Sequence, residues 1–155
     1  MPTTLKDMVA AANATVPAID AADAEQLIAA GEALVVDVRD AAEVEASGLV
    51  RGAVHSSRGM LEFRADPASP FQDDRLSPDK TVIVYCASGG RSTLAGRALQ
   101  ELGYRDVRKF DRFKDRVESG GAVDKPIDSG MQWVRRMIWA SADAAAIVGD
   151  RVTSR

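Results

Sequence analysis

The chain has 155 residues, 46% of them apolar and 28% charged, and its 20 Lys and Arg against 23 Asp and Glu leave a net charge of −3. That length suits one domain around a single core, and the slightly acidic balance argues against a general nucleic-acid binder, which carries a basic excess on one face. No apolar run approaches the roughly 20 residues that cross a bilayer. The start, Met1-Pro2-Thr3-Thr4-Leu5-Lys6-Asp7, lacks the charged and apolar segments of a secretory signal, and a lone cysteine forms no internal disulfide. A cytoplasmic location without membrane contact is therefore expected. The single His55 excludes a multi-histidine metal site.

In chain order, Leu5, Met8, Val9 and Ala12 recur at helical spacing and predict a helix within residues 1–15, ended by Pro17. Asp20 or Asp23 caps a second helix running to Ala29, with Gly31 as its stop. The run Ala33-Leu34-Val35-Val36-Asp37-Val38 is short and valine-rich, as in a buried parallel strand. Asp40 to Ala46 reads as a short helix, and Ala53-Val54-His55 as a weak strand. Residues 59–80, with three prolines, read as loop with a short helix around Met60–Arg64. Thr81-Val82-Ile83-Val84-Tyr85 is the clearest strand. Arg91–Leu102 is a helix whose face is Leu94, Ala95, Ala98, Leu99 and Leu102, with Gly103 at its end. Val107–Phe110 predicts a further strand, Phe113–Glu118 a short helix, Asp124–Gly130 a linker and Met131–Val148 a final helix. Strands alternating with helices give an α/β fold around a mainly parallel sheet.

The stretch Tyr85-Cys86-Ala87-Ser88-Gly89-Gly90-Arg91-Ser92 carries the chemistry. Cys86 falls at the carboxyl end of a strand, where open parallel sheets bind ligands. The helix beginning near Arg91 or Ser92 offers amides with no partner inside it and a positive dipole end. Gly89 and Gly90 let the loop curl so that successive N–H groups converge on one point. A thiolate there is stabilised and its pKa falls. The same cradle suits a persulfide or the oxyanions of thiosulfate or a thiosulfonate, with hydroxyl donors from Ser88 and Ser92 and a charged donor from Arg91. The competing reading is a buried core cysteine, which the glycine pair and the immediate helix start disfavour.

With these residues in place, the chain resembles the single-domain rhodanese (thiosulfate sulfurtransferase) family. The similarity is carried by Val36-Asp37-Val38-Arg39 with Glu43 after it, by Gly52-Ala53-Val54, by the six-residue loop Cys86 to Arg91, and by Glu101-Leu102-Gly103-Tyr104. It covers about residues 18–126 and divides the chain into an N-terminal helical segment 1–17, a rhodanese-like domain 18–126 and a C-terminal helical extension 127–155. The resemblance implies a three-layer domain with a central parallel sheet and ping-pong sulfur transfer, with no metal or organic cofactor. In that scheme Cys86 takes sulfane sulfur from thiosulfate or a related donor and passes it to a thiol or cyanide. Ala87, Ser88, Gly89, Gly90, Arg91 and Ser92 form the substrate cradle. The fold also hosts phosphatases, but a cysteine that attacks phosphate monoesters uses Cys-x5-Arg, whose longer loop encircles a phosphoryl group. Here Arg91 follows Cys86 after four residues and the next position is Ser92.

The chain departs from the family pattern in three places. Gly48-Leu49-Val50 stands for Gly-His-Ile, Asp111-Arg112 for a glycine pair at the site's mouth, and Arg116 lies near a customary tryptophan. These departures support an alternative, a catalytically weak binding or redox-sensing module acting through its C-terminal helix. That helix holds Trp133 and Trp139 around Arg135-Arg136, and it either packs on its own domain or forms a homodimer. Arg58 is the second candidate for binding an anionic donor. Asp37 and Arg39 are expected to be structural, with Arg39 paired to Glu43 in a mostly exposed ion pair. His55 is expected to be structural. Met60, Leu61 and Phe63 either wall the pocket or pack a helix, and helix packing is the reading taken.

Overall fold

The structure, a computed structural model, describes residues 1–110 and 123–124. Asp111-Arg112, the helix expected over Phe113–Glu118, residues 125–130 of the linker and the helix over Met131–Val148 lie outside the described residues.

The N-terminal helix α1 spans Leu5–Asn13. Thr4 starts it by a reciprocal cap: its Oγ1 accepts from the Asp7 amide and its own amide donates to Asp7 Oδ2. Of the expected apolar stripe, Ala12 is buried, whereas Leu5 and Met8 are exposed. Helix α2 spans Ala21–Ala29, and its cap is Asp20, which accepts from the Asp23 amide at 2.8 Å. Strand β1 is Ala33–Asp37, helix α3 Ala41–Ser47, and β2 the two-residue Leu49–Val50. Strand β3 is Val54–His55, and a 3-10 turn at Arg58–Met60 leads into α4, Leu61–Ala65. Strand β4 is Thr81–Tyr85, helix α5 Gly90–Glu101, β5 Asp106–Phe110 and β6 Val123–Asp124.

The central sheet has the order β3-β1-β4-β5, and every neighbouring pair is parallel. This is the α/β architecture the sequence predicts. A second, two-stranded antiparallel sheet pairs β2 with β6, Leu49 opposite Asp124 and Val50 opposite Val123. No sequence signal marked it, because two residues are too few for a strand period. The chain moves one way from β1 to β3 and the other way from β3 through β4 to β5. Right-handed crossovers therefore place α3 on one face and α4 and α5 on the other. The direction reverses between β1 and β4, which opens a crevice at their carboxyl ends.

Register fixes which side chains share a face. Val36 lies beside Val84 and Asp37 beside Tyr85, so Val36, Val38, Val82, Val84 and Cys86 point to one side. These residues form the main core with Leu61 and Ala65 of α4, Ala95 and Leu99 of α5, and Leu76, Tyr104 and Val107. Asp37 and Tyr85 point to the other face. The edge of β5 is covered by the segment before α2: the Lys109 amide donates to Pro17 O and the Ile19 amide to Lys109 O, both at 2.9 Å. This extra bridge covers the edge at Lys109. Helix α1 lies against α5, and Val16 sits so close to Gly96 that a Cβ at Gly96 would fall 2.7 Å from Val16 Cγ1. At its far end α5 closes as expected, with Gly103 at φ +91° and its amide donating to Gln100 O.

Candidate active site

Cys86 follows β4 directly and sits in the crevice beside β1. Helix α5 starts at Gly90, one residue earlier than expected, so the loop between strand and helix is only Cys86 to Gly89. Three hydrogen-bonding groups surround the sulfur. The Gly89 amide lies 3.1 Å from Sγ, the Ser92 amide 3.4 Å and the Ser92 hydroxyl 3.4 Å. Gly89 makes this convergence feasible: its φ of +103° is open to glycine and strained for any other residue. The Gly89 carbonyl, in the next peptide, is held as well. Gly89 O accepts from the Thr93 amide at 3.0 Å, Thr93 Oγ1 at 2.7 Å and Ser92 Oγ at 3.0 Å. The Ser92 hydroxyl thus lies between Sγ and a carbonyl. It can accept from the thiol, or rotate to donate to the thiolate.

Cys86 is fully buried. Burial pushes its pKa up, but the Ser92 hydroxyl and the amides of Ser92, Gly89 and Ser88 outweigh it. The net result is a thiol more acidic than an ordinary cysteine. Ala87 and Ser88 lie exposed over the buried Gly89, so Ser88 contributes by its amide.

Arg91 turns away from the sulfur. Its NH1 and NH2 donate to Glu43 Oε2 and Oε1 at 2.6 and 2.8 Å. Glu43 stands in the first turn of α3, beyond β1, so this bidentate pair spans the crevice at the switch point and pins the start of α5 to the start of α3. The Arg91 hydrogen bond holds the Glu43 carboxyl at a pKa of about 2. The expected Arg39–Glu43 pair is not formed. Arg39 instead folds back on Asp37, with Nε 3.1 Å from both carboxylate oxygens and NH2 2.7 Å from Oδ2. The pair is buried, not exposed. Asp37 is the last residue of β1 and its side chain enters the face opposite Cys86, which places the Arg39 guanidinium over the Tyr85 ring, 5.6 Å from its centroid. Arg39 also donates to Ser47 Oγ and Gly48 O, tying the C-terminal end of α3 to the strand. His55 is structural in the same way: its Nε2 lies 2.7 Å from Arg39 O.

Arg58 opens the 3-10 turn after β3, and its amide donates to Val38 O. Its guanidinium pairs with Glu62 of α4. Leu61 is wholly buried in the core, as the helix-packing reading expects, whereas Met60 and Phe63 are exposed. The cradle is thus drawn from residues 86–93. Thr93 is the cradle residue that the sequence pattern does not single out; it lies two positions beyond the six-residue loop. Among the described residues no cluster of His, Cys, Asp and Glu forms a metal site, and no helix is long and apolar enough to cross a membrane.

Comparisons with known proteins agree with this fold. A mitochondrial protein of Schizosaccharomyces pombe, provisionally named a thiosulfate sulfurtransferase, is 26% identical over 99 residues, which cover 56% of this chain and 66% of that one. The chain spans less than two thirds of the length of the first curated relatives it matches. Among solved structures, a Rhodopseudomonas palustris protein of unknown function, described as a candidate tyrosine phosphatase, superposes with a TM-score of 0.72 at 35% identity, covering 80% of this chain and 99% of that one. A human single-domain sulfurtransferase superposes with a TM-score of 0.59 at 25% identity, covering 66% of this chain and 96% of that one. The family model of the rhodanese-like domain matches residues 20–113, from the cap of α2 through the cysteine loop to just past β5. With more than half of its length inside that span, the chain belongs to the rhodanese-like domain family.

Proposed function

We propose that the protein is a sulfurtransferase that carries sulfur on Cys86. The observation that supports this reading is the set of three hydrogen-bonding groups, the amides of Gly89 and Ser92 and the Ser92 hydroxyl, converging on Cys86 Sγ at the start of α5. A thiolate held there attacks the outer sulfur of thiosulfate or a related sulfane donor. The new Sγ–S bond forms as the donor's S–S bond breaks, and sulfite leaves with the electron pair. The terminal sulfur of the resulting persulfide is anionic, and the amides that stabilised the thiolate stabilise it too. An acceptor thiolate or cyanide then takes that sulfur, breaks the Sγ–S bond and returns the thiolate. Names of relatives favour this chemistry at the level of the family, and the donor and acceptor are part of the proposal.

Phosphatase chemistry is the reading to set against it, since one structural neighbour is described that way. Two features weigh against it. The loop has one residue fewer than a ring around a phosphoryl group needs, and its only arginine is committed to Glu43. The test is steady-state turnover on two substrates. Thiocyanate formed from thiosulfate and cyanide, and abolished in Cys86→Ser, supports the proposal. Cys86-dependent hydrolysis of an aryl phosphate without thiocyanate formation overturns it. Homodimerisation through residues 131–148 remains part of the proposal, and the sedimentation coefficient of the full chain tests it.

A further inference from the structure

The segment before residue 20 lies outside the family match, yet it reaches the cysteine loop. Asn13, the last residue of α1, accepts from Lys109 Nζ through its Oδ1 at 2.5 Å. Thr93 Oγ1 lies 3.4 Å from the same Oδ1 and 3.4 Å from Lys109 Nζ. The Thr93 hydroxyl has one proton, and its shortest bond, 2.7 Å, goes to Gly89 O. It therefore receives from the lysine and gives to the carbonyl. A charged donor feeding a hydroxyl strengthens the bond that the hydroxyl makes onward. The chain ends on the carbonyl of Gly89, the residue whose own amide, in the preceding peptide, meets Cys86 Sγ.

The rest of the segment holds this chain of bonds in place. Pro17 and Ile19 bond the backbone of Lys109 itself. Val16 packs on Gly96 of α5, and Gln100 of α5 donates to Thr15 O at 2.7 Å. Lys109 and Thr93 come from β5 and α5, and Asn13 of α1 is the acceptor that meets the lysine beside Thr93.

We propose that Asn13 is a positioning residue for the Cys86 loop: it anchors Lys109 against Thr93, and through Thr93 it fixes the carbonyl, and so the backbone orientation, of Gly89, whose amide supports the sulfur. The N-terminal segment is then part of the catalytic apparatus, and the functional unit begins before the family's own boundary. The inference rests on Cys86 acting as a thiolate, as in the proposed function, but its test does not require sulfur transfer.

The test is the rate of Cys86 alkylation by iodoacetamide as a function of pH, in the full chain. Among the described residues, the charged groups around the loop include Arg91 of α5, Glu43 and Asp40 at the start of α3, and Lys109 of β5. Of these, the variants alter only Lys109 or its bond to Asn13. Asn13 is exposed and Lys109 half-buried, so both tolerate substitution. Asn13→Ala and Lys109→Met are each expected to lower the rate at neutral pH by roughly three-fold through a weakened Thr93–Gly89 bond. The midpoint of the profile should move upward, with the limiting rate at high pH unchanged. Asn13→Asp, which keeps an acceptor for the lysine, is expected to restore the wild-type profile. The double variant should be no worse than either single one, as for two residues acting in one chain. A purely structural role would lower the melting temperature and leave the midpoint in place, and that result overturns the proposal. Failure of the wild-type protein to form a persulfide would sink the proposed function and leave this inference standing.

Discussion

At the scale of single residues, the chemistry depends on what touches Cys86 Sγ. Ser92 supplies two of the three close hydrogen-bond partners, an amide that survives substitution and a hydroxyl that does not. Those bonds favour the thiolate, so removing the hydroxyl raises the pKa. Ser92→Ala is expected to move the pH midpoint of Cys86 alkylation upward, and an unchanged midpoint would assign the acidity to the amides alone. The Glu43–Arg91 pair gives a prediction with the opposite sense of pH. Glu43 has a folded pKa of about 2, below its ordinary 4.5. Its contribution to stability is therefore complete above the unfolded pKa and disappears as pH falls through the folded one. Denaturation of wild type and Glu43→Gln should differ at pH 6 and converge toward pH 2. Because both side chains are more than a third exposed, at 35% and 36%, the difference at pH 6 is expected to be no more than about 1 kcal/mol. Arg39 is different in kind. It is buried against an equally buried Asp37, so Arg39→Met strands a carboxylate and is expected to cost about 3–5 kcal/mol in denaturant unfolding.

At the scale of elements, the parts legible in the sequence were those with a strong period or strong punctuation. The valine-rich strands β1 and β4 and the helix α5 with its terminal glycine fall where pattern and propensity put them. Asp37-Val38-Arg39 was visible as a motif, but its pairing was not. The side-chain direction that turns Arg39 back on Asp37 and leaves Glu43 for Arg91 depends on which face each residue takes after the strand ends. That is a matter of register and not of spacing along the chain. The 2-residue partners β2 and β6 were invisible for want of length. The packing of α1 on α5 was also hidden, because its signal is a single glycine in a helix, which propensity alone reads as a weakness. Gly96 is there for contact: a Cβ would fall 2.7 and 3.1 Å from the two methyls of Val16, which is itself buried. Gly96→Ala gains helix propensity of about 1 kcal/mol and meets a stiff β-branched neighbour, with an overpacking cost of about 1–3 kcal/mol. Net destabilisation is expected in denaturant melts, relieved when Val16→Ala is added. Additive losses in the double variant would show that the contact is not the reason for the glycine.

At the scale of the whole molecule, a parallel sheet whose strand order reverses places its crevice between β1 and β4, and the one cysteine of the chain stands at that crevice. The catalytic candidate was legible because strand, cysteine, glycines and helix lie next to one another in sequence. What holds the candidate in place was not legible, since Glu43, Asn13 and Lys109 come from three distant stretches that only the fold brings to the loop. The account's central claim is that this loop stores sulfur. Intact-mass spectrometry of the full chain after incubation with thiosulfate tests it most directly. The account predicts a gain of one sulfur atom in the wild type, reversed by a thiol or cyanide and absent in Cys86→Ser. A wild-type mass that stays unchanged with thiosulfate, a thiosulfonate and polysulfide alike would contradict it.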